Sequence, residues 1–424
     1  MNSEILKECI LSGQRDAFFG ELYEDACLSL YQRERYVRML SCFEELYGKQ
    51  DVEVYSAAGR SEVSGNHTDH QHGCVLAASI NLDAVAVVSR QEGVISIVSD
   101  GLHMKDVCLS DLEMKEDELG SSEALVRGVC FRLKELGYVV DGFKAYISSD
   151  VLIGAGLSSS AAFETLIGTI VSGLYNDMKI DMVTIAKVGQ FAENVYFGKP
   201  CGLMDQCACA VGGLINIDFK DPSAPVVRHL DVDFSKFDHS LCIVDTKGSH
   251  ADLTDEYAAI PAEMKSVAAF FGKEVLRDVD VDAFYSNLAE VRKVCNDRAV
   301  LRTMHFFAEN ERVSVLVQAL QEGRFDDFKK LIEASGNSSY KFLQNVFASC
   351  DALNQPVSLG LALSEKVLAG HGVCRVHGGG FAGTIQAFVE NDFVEVYRKA
   401  MDGLFGDGSC HVLKVRAKGG CRVF

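Results

Sequence analysis

The sequence IGAGLSSSAAFE, residues 153–164, decides the fold because it joins a strand that ends near Asp150 to an apolar helix that begins near Ser159. Glycines let a backbone approach a ligand closely, and the unpaired amides at a helix N-terminus attract anions. The segment has neither the lysine of a Walker A loop nor the GxGxxG spacing of dinucleotide-binding folds. It predicts a phosphate-binding turn, with an ordinary glycine turn capped by serine as the alternative.

A run of polar residues, AAGRSEVSGNHTDHQHG at positions 57–73, follows the first predicted strand. Its asparagine, histidines and aspartate supply the short planar donors and acceptors that sugar hydroxyls require. The same imidazole and carboxylate groups could ligate a metal ion, and a solvated loop is the third interpretation. Composition alone leaves these three interpretations open.

Asp205 is the lone carboxylate of the apolar stretch PCGLMDQCACAVGGLINI, positions 200–217. A buried carboxylate needs a cation or hydrogen bonds, and the permanently charged Arg60 is a candidate partner. Asp205 is therefore interpreted as either a structural cap or an acid–base group. Glu193, in the predicted helix just upstream, is either a ligand for a hard cation or a surface carboxylate.

Alternating apolar residues predict strands at 52–60, 84–89, 93–99 and 142–150, and the turn RQEG is expected to join the second and third as a hairpin. Amphipathic helices are predicted near the N-terminus and through most of the region 252–370. A second glycine cluster, GGGFAG at 378–383, is either a loose hairpin or a backbone segment that approaches a ligand. Irregular alternation of strands and helices predicts an α+β fold of two lobes, with mixed sheets and helices, divided near Asp221.

The composition of the chain excludes several classes of protein. The 424 residues are 48% hydrophobic and 24% charged, which is typical of a globular protein. A net charge of -19 repels nucleic acid and anionic membranes, so neither is expected as a partner. The 15 cysteines, an odd number without a Cys-x-x-Cys pair, are expected to be reduced, and no signal peptide or membrane span is recognised. We therefore expect a cytoplasmic protein. Composition leaves the oligomeric state open, and a monomer is the favoured state.

Together these segments resemble the galactokinase family of the GHMP small-molecule kinase superfamily. GRSEVSGNHTDHQHG resembles the family's sugar-binding signature, IGAGLSSSAA its phosphate loop, PCGLMDQ its Gly-Ile-Met-Asp-Gln and VHGGGFAGTIQAF its third motif, in the family's order. The likeness begins near Arg35 and runs to the C-terminus. It implies an N-terminal helical extension at 1–30, an N-terminal kinase lobe at 31–220 and a C-terminal lobe at 221–424, with the active site between the lobes.

The resemblance implies a role for each matched residue. Asp205 is expected to be the catalytic base, and Arg60 is expected to stabilise the transition state. Ser160 and Glu193 are expected to hold Mg²⁺. The expected sugar contacts are Asn66, His67, Thr68, Asp69 and Tyr257. The residues expected to wrap the phosphates of ATP are Gly154, Ala155, Gly156, Leu157, Ser158, Ser159 and Ser160.

The activity that the resemblance implies is transfer of the γ-phosphoryl group of ATP to the anomeric hydroxyl of galactose, which gives galactose 1-phosphate and ADP. Asp205 would orient this hydroxyl and accept its proton. In the alternative mechanism, Arg60 activates the hydroxyl electrostatically and Asp205 is a bystander.

The chain departs from the family's pattern at several positions. Asn66 stands where the family has glutamate, Val151 where it has proline, and Ala382 interrupts the third motif. The arginines that follow the family's tyrosine are also absent after Tyr257. Because a neutral amide tolerates a substrate carboxylate better than glutamate does, Asn66 motivates a kinase for another galacto-configured sugar: galacturonate, L-arabinose or N-acetylgalactosamine. A non-catalytic sugar and ATP sensor is the third hypothesis, although the SSSAA run and Asp205 are both present.

Overall fold

A computed structural model gives the structure of the protein and describes residues 1–152, 156–248 and 253–424. The helices are α1 (Ser3–Leu11), α2 (Asp16–Leu22), α3 (Ser29–Tyr47), α4 (Ser122–Glu135), α5 (Ser159–Asn176), α6 (Met182–Phe191), α7 (Met204–Val211), α8 (Thr254–Phe270), α9 (Val281–Ser286), α10 (Leu288–Cys295), α11 (Asp297–Gln321), α12 (Phe325–Ser338), α13 (Pro356–Leu368) and α14 (Val394–Phe405). The strands are β1 (Glu53–Ser64), β2 (Cys74–Arg90), β3 (Val94–Ser99), β4 (Leu102–His103), β5 (Val107–Cys108), β6 (Phe143–Ser149), β7 (Leu214–Asp218), β8 (Val226–Leu230), β9 (His239–Asp245), β10 (Gly372–Val376), β11 (Thr384–Glu390), β12 (Cys410–Leu413) and β13 (Cys421–Arg422).

The larger sheet is mixed and is built around the long antiparallel pair β1 and β2. Its main path runs β13-β1-β2-β6-β3-β4, with β5 attached to β3 and β7 linking β2 to β8. Both long strands are rich in small and β-branched residues and are buried along almost their whole length. Burial on both faces places this pair at the centre of the molecule, where the loop between its strands is held between helices.

The hairpin predicted between residues 84–89 and 93–99 is wrong. Strand β6 lies between β2 and β3, antiparallel to the first and parallel to the second. The turn after β2 instead closes around the start of β6, because the Gln91 amide donates to Gly142 O at 3.0 Å and the Gly93 amide donates to Asp141 at 2.8 Å. The backbone of β6 fills the space between the two strands, and its apolar side chains Phe143, Ala145 and Ile147 are buried completely or nearly so in the core.

The smaller sheet is antiparallel, in the order β10-β11-β9-β12, and helices α12, α13 and α14 pack against it. Helices packed with one mixed and one antiparallel sheet thus give the α+β fold that the sequence predicts. The lobe boundary at residues 220/221 stays a prediction. Two short strands on its C-terminal side, β8 and β13, belong to the larger sheet.

The N-terminal helices are tied to the rest of the chain by a fully buried carboxylate, Asp83 on β2. Arg35 on α3 donates to Asp83 Oδ1 at 2.7 Å, and Arg416 donates to Oδ2 at 2.8 Å. Tyr23, just after α2, donates to Oδ2 at 2.9 Å. Because buried charges must be paired, α2 and α3 are integral parts of the fold. Within the described ranges, no helix combines the length and apolar character needed to span a bilayer.

Candidate active site

Arg60, on β1, and Asp205, in the first turn of α7, form a two-point ion pair. Arg60 Nε lies 2.7 Å from Asp205 Oδ1, and Nη2 lies 2.6 Å from Oδ2. The arginine is buried, whereas the Asp205 side chain is 30% exposed. Burial opposes ionisation of Asp205, but Arg60 and the Ser158 hydroxyl hold the pKa of its carboxyl below the ordinary value. The carboxylate is therefore charged at neutral pH and partly open to a ligand.

The same arginine joins this pair to the glycine–serine turn. Arg60 Nη1 donates to Gly156 O, and the Arg60 amide lies 3.4 Å from Leu157 O. Leu157 is fully buried in the core and anchors the turn, while Ser158 has a left-handed conformation with φ of 55° and donates its hydroxyl to Asp205. The turn, the arginine and the carboxylate thus form one contact network.

The smaller sheet reaches this turn from the other side. Gly156 has φ of +67°, and a β-carbon there would lie 3.2 Å from Thr384 Oγ1 and 3.5 Å from His377 Nδ1. Burial and the charge of Arg60 lower the pKa of His377 to about 3, so its ring is neutral. Its two nitrogens contact Ser61 Oγ at 3.1 Å and Thr384 Oγ1 at 2.9 Å. The predicted phosphate contacts Gly154 and Ala155 lie outside the described residues.

Helix α5 begins at Ser159, and its second residue, Ser160, points to the predicted cation site. The Ser160 hydroxyl donates to Glu193 Oε1 at 3.0 Å, and Lys199 Nζ lies 3.0 Å from the same oxygen. Gln206 donates to Glu193 Oε2 at 2.8 Å and to Glu164 Oε2 at 3.2 Å.

These oxygens fit a hard cation. The Lys199 ammonium is a positive charge held at Glu193, and the nearby Glu164 Oε1 is a buried acceptor without a hydrogen-bond partner among the described residues. A hydroxyl and carboxylates are ligands that Mg²⁺ accepts, usually together with phosphate oxygens and water. The described residues contain no group of three or more His, Cys, Asp or Glu side chains that could form an all-protein metal site.

A polar cavity of about 190 Å³ opens beside the Arg60–Asp205 pair. The residues that line it come from β1, from the loop after β1, from the segment before α7 and from the third motif. They are Arg60, Glu62, Asn66, His67, Asp69, His70, Cys201, Gly202, Met204, Asp205, Gly378 and Gly379. The predicted base thus shares a cavity with three of the predicted sugar contacts, namely Asn66, His67 and Asp69.

Two of these contacts, His67 and Asp69, lie at the wall of the cavity. His67 Nε2 donates to Gly379 O at 2.9 Å, which leaves Nδ1 as the acceptor toward His70 Nε2 at 3.0 Å. Burial lowers the pKa of His67 to about 3, so it is neutral. Asp69 lies against Gly202, where a β-carbon would collide with Oδ2, so only glycine permits this approach.

Two other predicted sugar contacts are turned into the protein, and one lies nearby. Asn66 is fully buried, as is Thr68, whose hydroxyl lies 2.8 Å from Gly65 O and 2.7 Å from Cys74 O and braces the loop. Tyr257, on α8, donates to Gly380 O at 2.8 Å, and burial raises its pKa to about 12. It therefore supports the glycine-rich segment next to the cavity.

Two stretches of the sequence that contribute residues to this site match family models. The "galactokinase galactose-binding signature" matches residues 41–90, and the "GHMP kinases N terminal domain" matches residues 124–213. The galactokinase of Streptomyces coelicolor is 32% identical over 375 residues, which cover 86% of this chain and 91% of that protein. The galactokinase of Glaesserella parasuis is 30% identical over 361 residues, which cover 84% and 90%. The chain belongs to the galactokinase family.

Solved structures place this galactokinase-family chain among the GHMP kinases by fold. The crystal structure of Lactococcus lactis galactokinase complexed with galactose superposes with a TM-score of 0.75 at 24% sequence identity. The aligned region covers 90% of this chain and 98% of the Lactococcus lactis chain. The mevalonate kinase of Methanococcus jannaschii covers 86% and 98%, with a TM-score of 0.60 and 16% identity. The two-lobed GHMP-kinase fold expected from the sequence is confirmed, and the chain is a sugar kinase of a family that uses ATP.

The sequence analysis missed two residues of this galactokinase-family site, Glu309 and Glu62. Glu309, on α11, is fully buried and accepts from Ser64 Oγ at 2.7 Å, from the Gly65 amide at 3.0 Å and from Ser335 Oγ at 2.6 Å. It holds Ser64 and Gly65 in place, in the middle of the segment that resembles the sugar-binding signature. The sequence gives no local signal for this buried carboxylate in a long amphipathic helix. Two of its three partners, Ser64 and Gly65, are more than 200 residues away along the chain.

Glu62 is a second residue that was missed, and here the sequence did contain a signal. It lies two positions after Arg60 on β1. From Arg60 to Glu62, β1 pairs with β2 without a bulge. Side chains two apart on a strand share a face. The position of Arg60 at the site therefore also places Glu62 there.

A larger cavity, of about 810 Å³, lies between α12, α13 and β10. None of the predicted site residues lines it. Its charged residues are of both signs, with Lys329, Lys330 and Lys341 beside Glu333 and Glu365. Size alone therefore does not identify the active site, because the predicted base and three of the predicted sugar contacts line the smaller polar cavity.

Proposed function

We propose that this chain transfers the γ-phosphoryl group of ATP to the anomeric hydroxyl of galactose, which gives galactose 1-phosphate and ADP. The observation that carries the proposal is the position of the Arg60–Asp205 pair. It contacts the glycine–serine turn on one side and lines the polar cavity on the other. Curated relatives that are galactokinases, and a relative of the same fold complexed with galactose, support this substrate.

Asp205 acts on the attacking hydroxyl. The sugar oxygen forms a bond to the γ-phosphorus, the bond from that phosphorus to the bridging oxygen breaks, and ADP leaves. The hydroxyl proton passes to Asp205. A carboxylate whose pKa is held low by Arg60 is a weak base, so it orients the hydroxyl first and accepts the proton late, once bonding to phosphorus has made the hydroxyl acidic.

Arg60 serves both reactants. Its guanidinium keeps Asp205 ionised, and its contact with Gly156 O places positive charge at the turn where the phosphates would lie. The N-terminus of α5 adds the positive end of an 18-residue helix. In a chain of net charge -19, these local groups are what attract a triphosphate. Electrostatic activation by Arg60, with Asp205 as a bystander, stays the alternative mechanism.

Mg²⁺ belongs to the same proposal. Ser160 and Glu193 would hold the ion, and Lys199, whose side chain is 62% exposed, is free to move away from Glu193. When bound, Mg²⁺ would neutralise charge on the phosphates. This chain's own contribution is to keep the serine hydroxyl and the buried carboxylate 3.0 Å apart at the start of α5.

The sugar is proposed to occupy the 190 Å³ cavity, with Asp69 and His67 at its wall. Thr68 and Tyr257 would act on the sugar indirectly, through the loop and the glycine-rich segment that they brace. The cytoplasmic location and the monomeric state stay predictions from the sequence.

A sugar panel with ADP release as the readout tests the proposal. Galactose, galacturonate, L-arabinose, N-acetylgalactosamine and glucose are each offered with ATP and Mg²⁺. We expect the highest kcat/KM with galactose. A higher value with galacturonate, or ADP release with none of the sugars, would contradict it; the second result would favour the sensor hypothesis.

A further inference from the structure

Asn66 has no hydrogen-bonding capacity left for a ligand. Its amide nitrogen donates to Glu62 Oε1 at 3.0 Å and to Gly378 O at 2.6 Å. Its amide oxygen accepts from Asn345 Nδ2 at 2.8 Å and lies 3.4 Å from Ser339 Oγ. An asparagine side chain has two N–H donors and one oxygen with two lone pairs, and all are engaged within the protein. The residue that replaces the family's glutamate therefore serves as a support, not as a sugar contact.

Glu62 is the group that Asn66 supports. The Glu62 carboxylate lines the cavity together with Arg60 and Asp205, on the same face of β1 as Arg60. Its Oε1 receives Asn66 Nδ2 and lies 3.3 Å from Arg375 Nη2. In the part of the chain that the structure describes, no group donates to Oε2. The carboxylate is thus fixed through one oxygen, with the other available to a molecule in the cavity.

We propose that Glu62 Oε2 accepts a hydrogen bond from a hydroxyl group of the bound monosaccharide, and that it thereby supplies, from β1, the carboxylate that position 66 lacks. This inference rests on the proposed function. It has a consequence for specificity, because a third carboxylate in a small cavity, beside Asp69 and Asp205, repels a sugar acid. Neutral galacto-configured sugars are therefore selected over galacturonate, although position 66 carries a neutral amide.

The carboxylate and the amide thus act as a coupled pair. The Glu62 carboxylate is held at the cavity by Arg375 on β10, which is fully buried. A buried arginine needs an anionic partner, and this requirement fixes Glu62 in place whether or not sugar is bound.

The test uses Glu62→Gln, which keeps the shape of the side chain. If the glutamine oxygen accepts from Asn66 Nδ2, as Glu62 Oε1 does, the amide nitrogen faces the cavity. Because hydrogen bonds to charged groups are stronger than neutral ones, we expect the KM for galactose to rise about 10- to 100-fold. The KM for ATP should stay within about twofold, since Glu62 does not contact the glycine–serine turn. Glu44→Gln is the matched control, because Glu44 is another mostly buried carboxylate paired with a cation, Lys7, on the N-terminal helices.

Deoxygalactoses identify the hydroxyl. One of the 2-, 3-, 4- and 6-deoxy sugars should lose kcat/KM in the wild type, and this loss should shrink to about twofold or less in Glu62→Gln. The ratio of kcat/KM for galacturonate to that for galactose should rise at least tenfold in the variant. A merely structural role would instead raise all the KM values together.

Failure of this inference and failure of the proposed function are distinguishable. A wild type that does not phosphorylate galactose contradicts the proposed function. An active wild type whose KM for galactose and deoxy-sugar pattern are unchanged by Glu62→Gln contradicts only the role of Glu62. If Glu62→Gln does not fold, Glu62→Asp keeps the charge beside Arg375 and withdraws the carboxylate by one methylene; an unchanged KM for galactose in that variant would likewise overturn the inference.

Discussion

As the proposed base, Asp205 would meet two opposing requirements within one side chain. It would have to be ionised to receive a proton, which the two-point contact with Arg60 ensures, yet this contact also makes it a weaker base. Its partial exposure resolves the conflict, because a sugar hydroxyl in the cavity can reach the carboxylate while Arg60 holds it. Ser158 adds a hydrogen bond from the glycine–serine turn, so the orientation of Asp205 depends on the segment proposed to hold the phosphates.

Replacement of Asp205 by asparagine is expected to lower kcat by about 10²- to 10⁴-fold, because general-base catalysis contributes this much. The fold should persist, since an amide still pairs with Arg60 through its oxygen. Steady-state ADP release and circular dichroism check the two statements. Asp218→Asn is the control, because Asp218 also pairs with an arginine, Arg277 at 3.0 Å, outside the cavity. Turnover by Asp205→Asn within a few-fold of wild type would show that the base is elsewhere.

Replacement of Glu193 by alanine is expected to raise the Mg²⁺ concentration that gives half-maximal activity at least tenfold. The physical reason is the loss of a buried carboxylate beside the Ser160 hydroxyl. A titration of activity with Mg²⁺ at saturating ATP measures the effect. Glu135→Ala removes a surface carboxylate paired with Arg132 and should leave the titration unchanged. Superimposable curves for wild type and Glu193→Ala would refute the assignment.

At the scale of elements, α11 positions the loop between β1 and β2 without lining the cavity. His305 Nε2 lies 2.9 Å from Asn66 O, and one turn later Glu309 binds Ser64 and Gly65. Sequence periodicity predicted a helical region here but not its partners, because residues in an amphipathic helix reveal which face is buried and not what that face contacts.

The wrong prediction of a β2–β3 hairpin has a similar cause. The RQEG turn is a local signal, whereas the insertion of β6 between the two strands depends on residues about 50 positions later.

The pKa of Glu309 gives α11 a measurable signature. Burial opposes its ionisation, but His305, Arg312, Arg375 and the Ser335 hydroxyl lower its pKa to about 2 from 4.5. A carboxyl whose pKa is lowered on folding stabilises the protein above its unfolded pKa, and this contribution is lost as pH falls through the folded value. The difference corresponds to roughly 3 kcal/mol.

We therefore expect the free energy of unfolding of the wild type to exceed that of Glu309→Gln by about 3 kcal/mol at pH 7, and this excess to vanish between pH ~5 and ~2. Urea unfolding at a series of pH values measures it. Glu322→Gln, on an exposed carboxylate, is the control. An excess that stays constant from pH 7 to pH 3 would mean that Glu309 acts through packing alone.

At the scale of the whole molecule, Asp83 connects the N-terminal helices, the larger sheet and the C-terminal segment. The sequence predicted the lobes, the four motifs and their convergence, since these follow from local patterns and from the family resemblance. It did not predict this network, because Arg35, Asp83 and Arg416 are separated by 48 and 333 positions and each appears as an ordinary charged residue. The residues 1–30 expected as an extension contribute Tyr23 to it.

Replacement of Asp83 by asparagine is expected to lower the free energy of unfolding by about 3–5 kcal/mol, because it removes the anion paired with the buried Arg416 and leaves the buried Arg35 with Asp150 alone. Denaturant titration measures the change. Asp177→Asn, on a highly exposed carboxylate, should shift it by less than about 0.5 kcal/mol. At a temperature where Asp83→Asn is folded, its kcat should match the wild type, since Asp83 does not line the cavity. A loss below about 1 kcal/mol would show that the network does not hold the helices in place.

The position of the transferred phosphate tests the central claim most directly. Wild-type protein is incubated with ATP, Mg²⁺ and galactose, and the product is examined by ³¹P NMR with proton coupling. Attack by the anomeric hydroxyl, beside Asp205 and Arg60, predicts one new phosphomonoester signal coupled to the single anomeric proton, formed in equal amount to ADP. A phosphate coupled to the two protons of C6, or ADP formed without any sugar phosphate, would contradict the account.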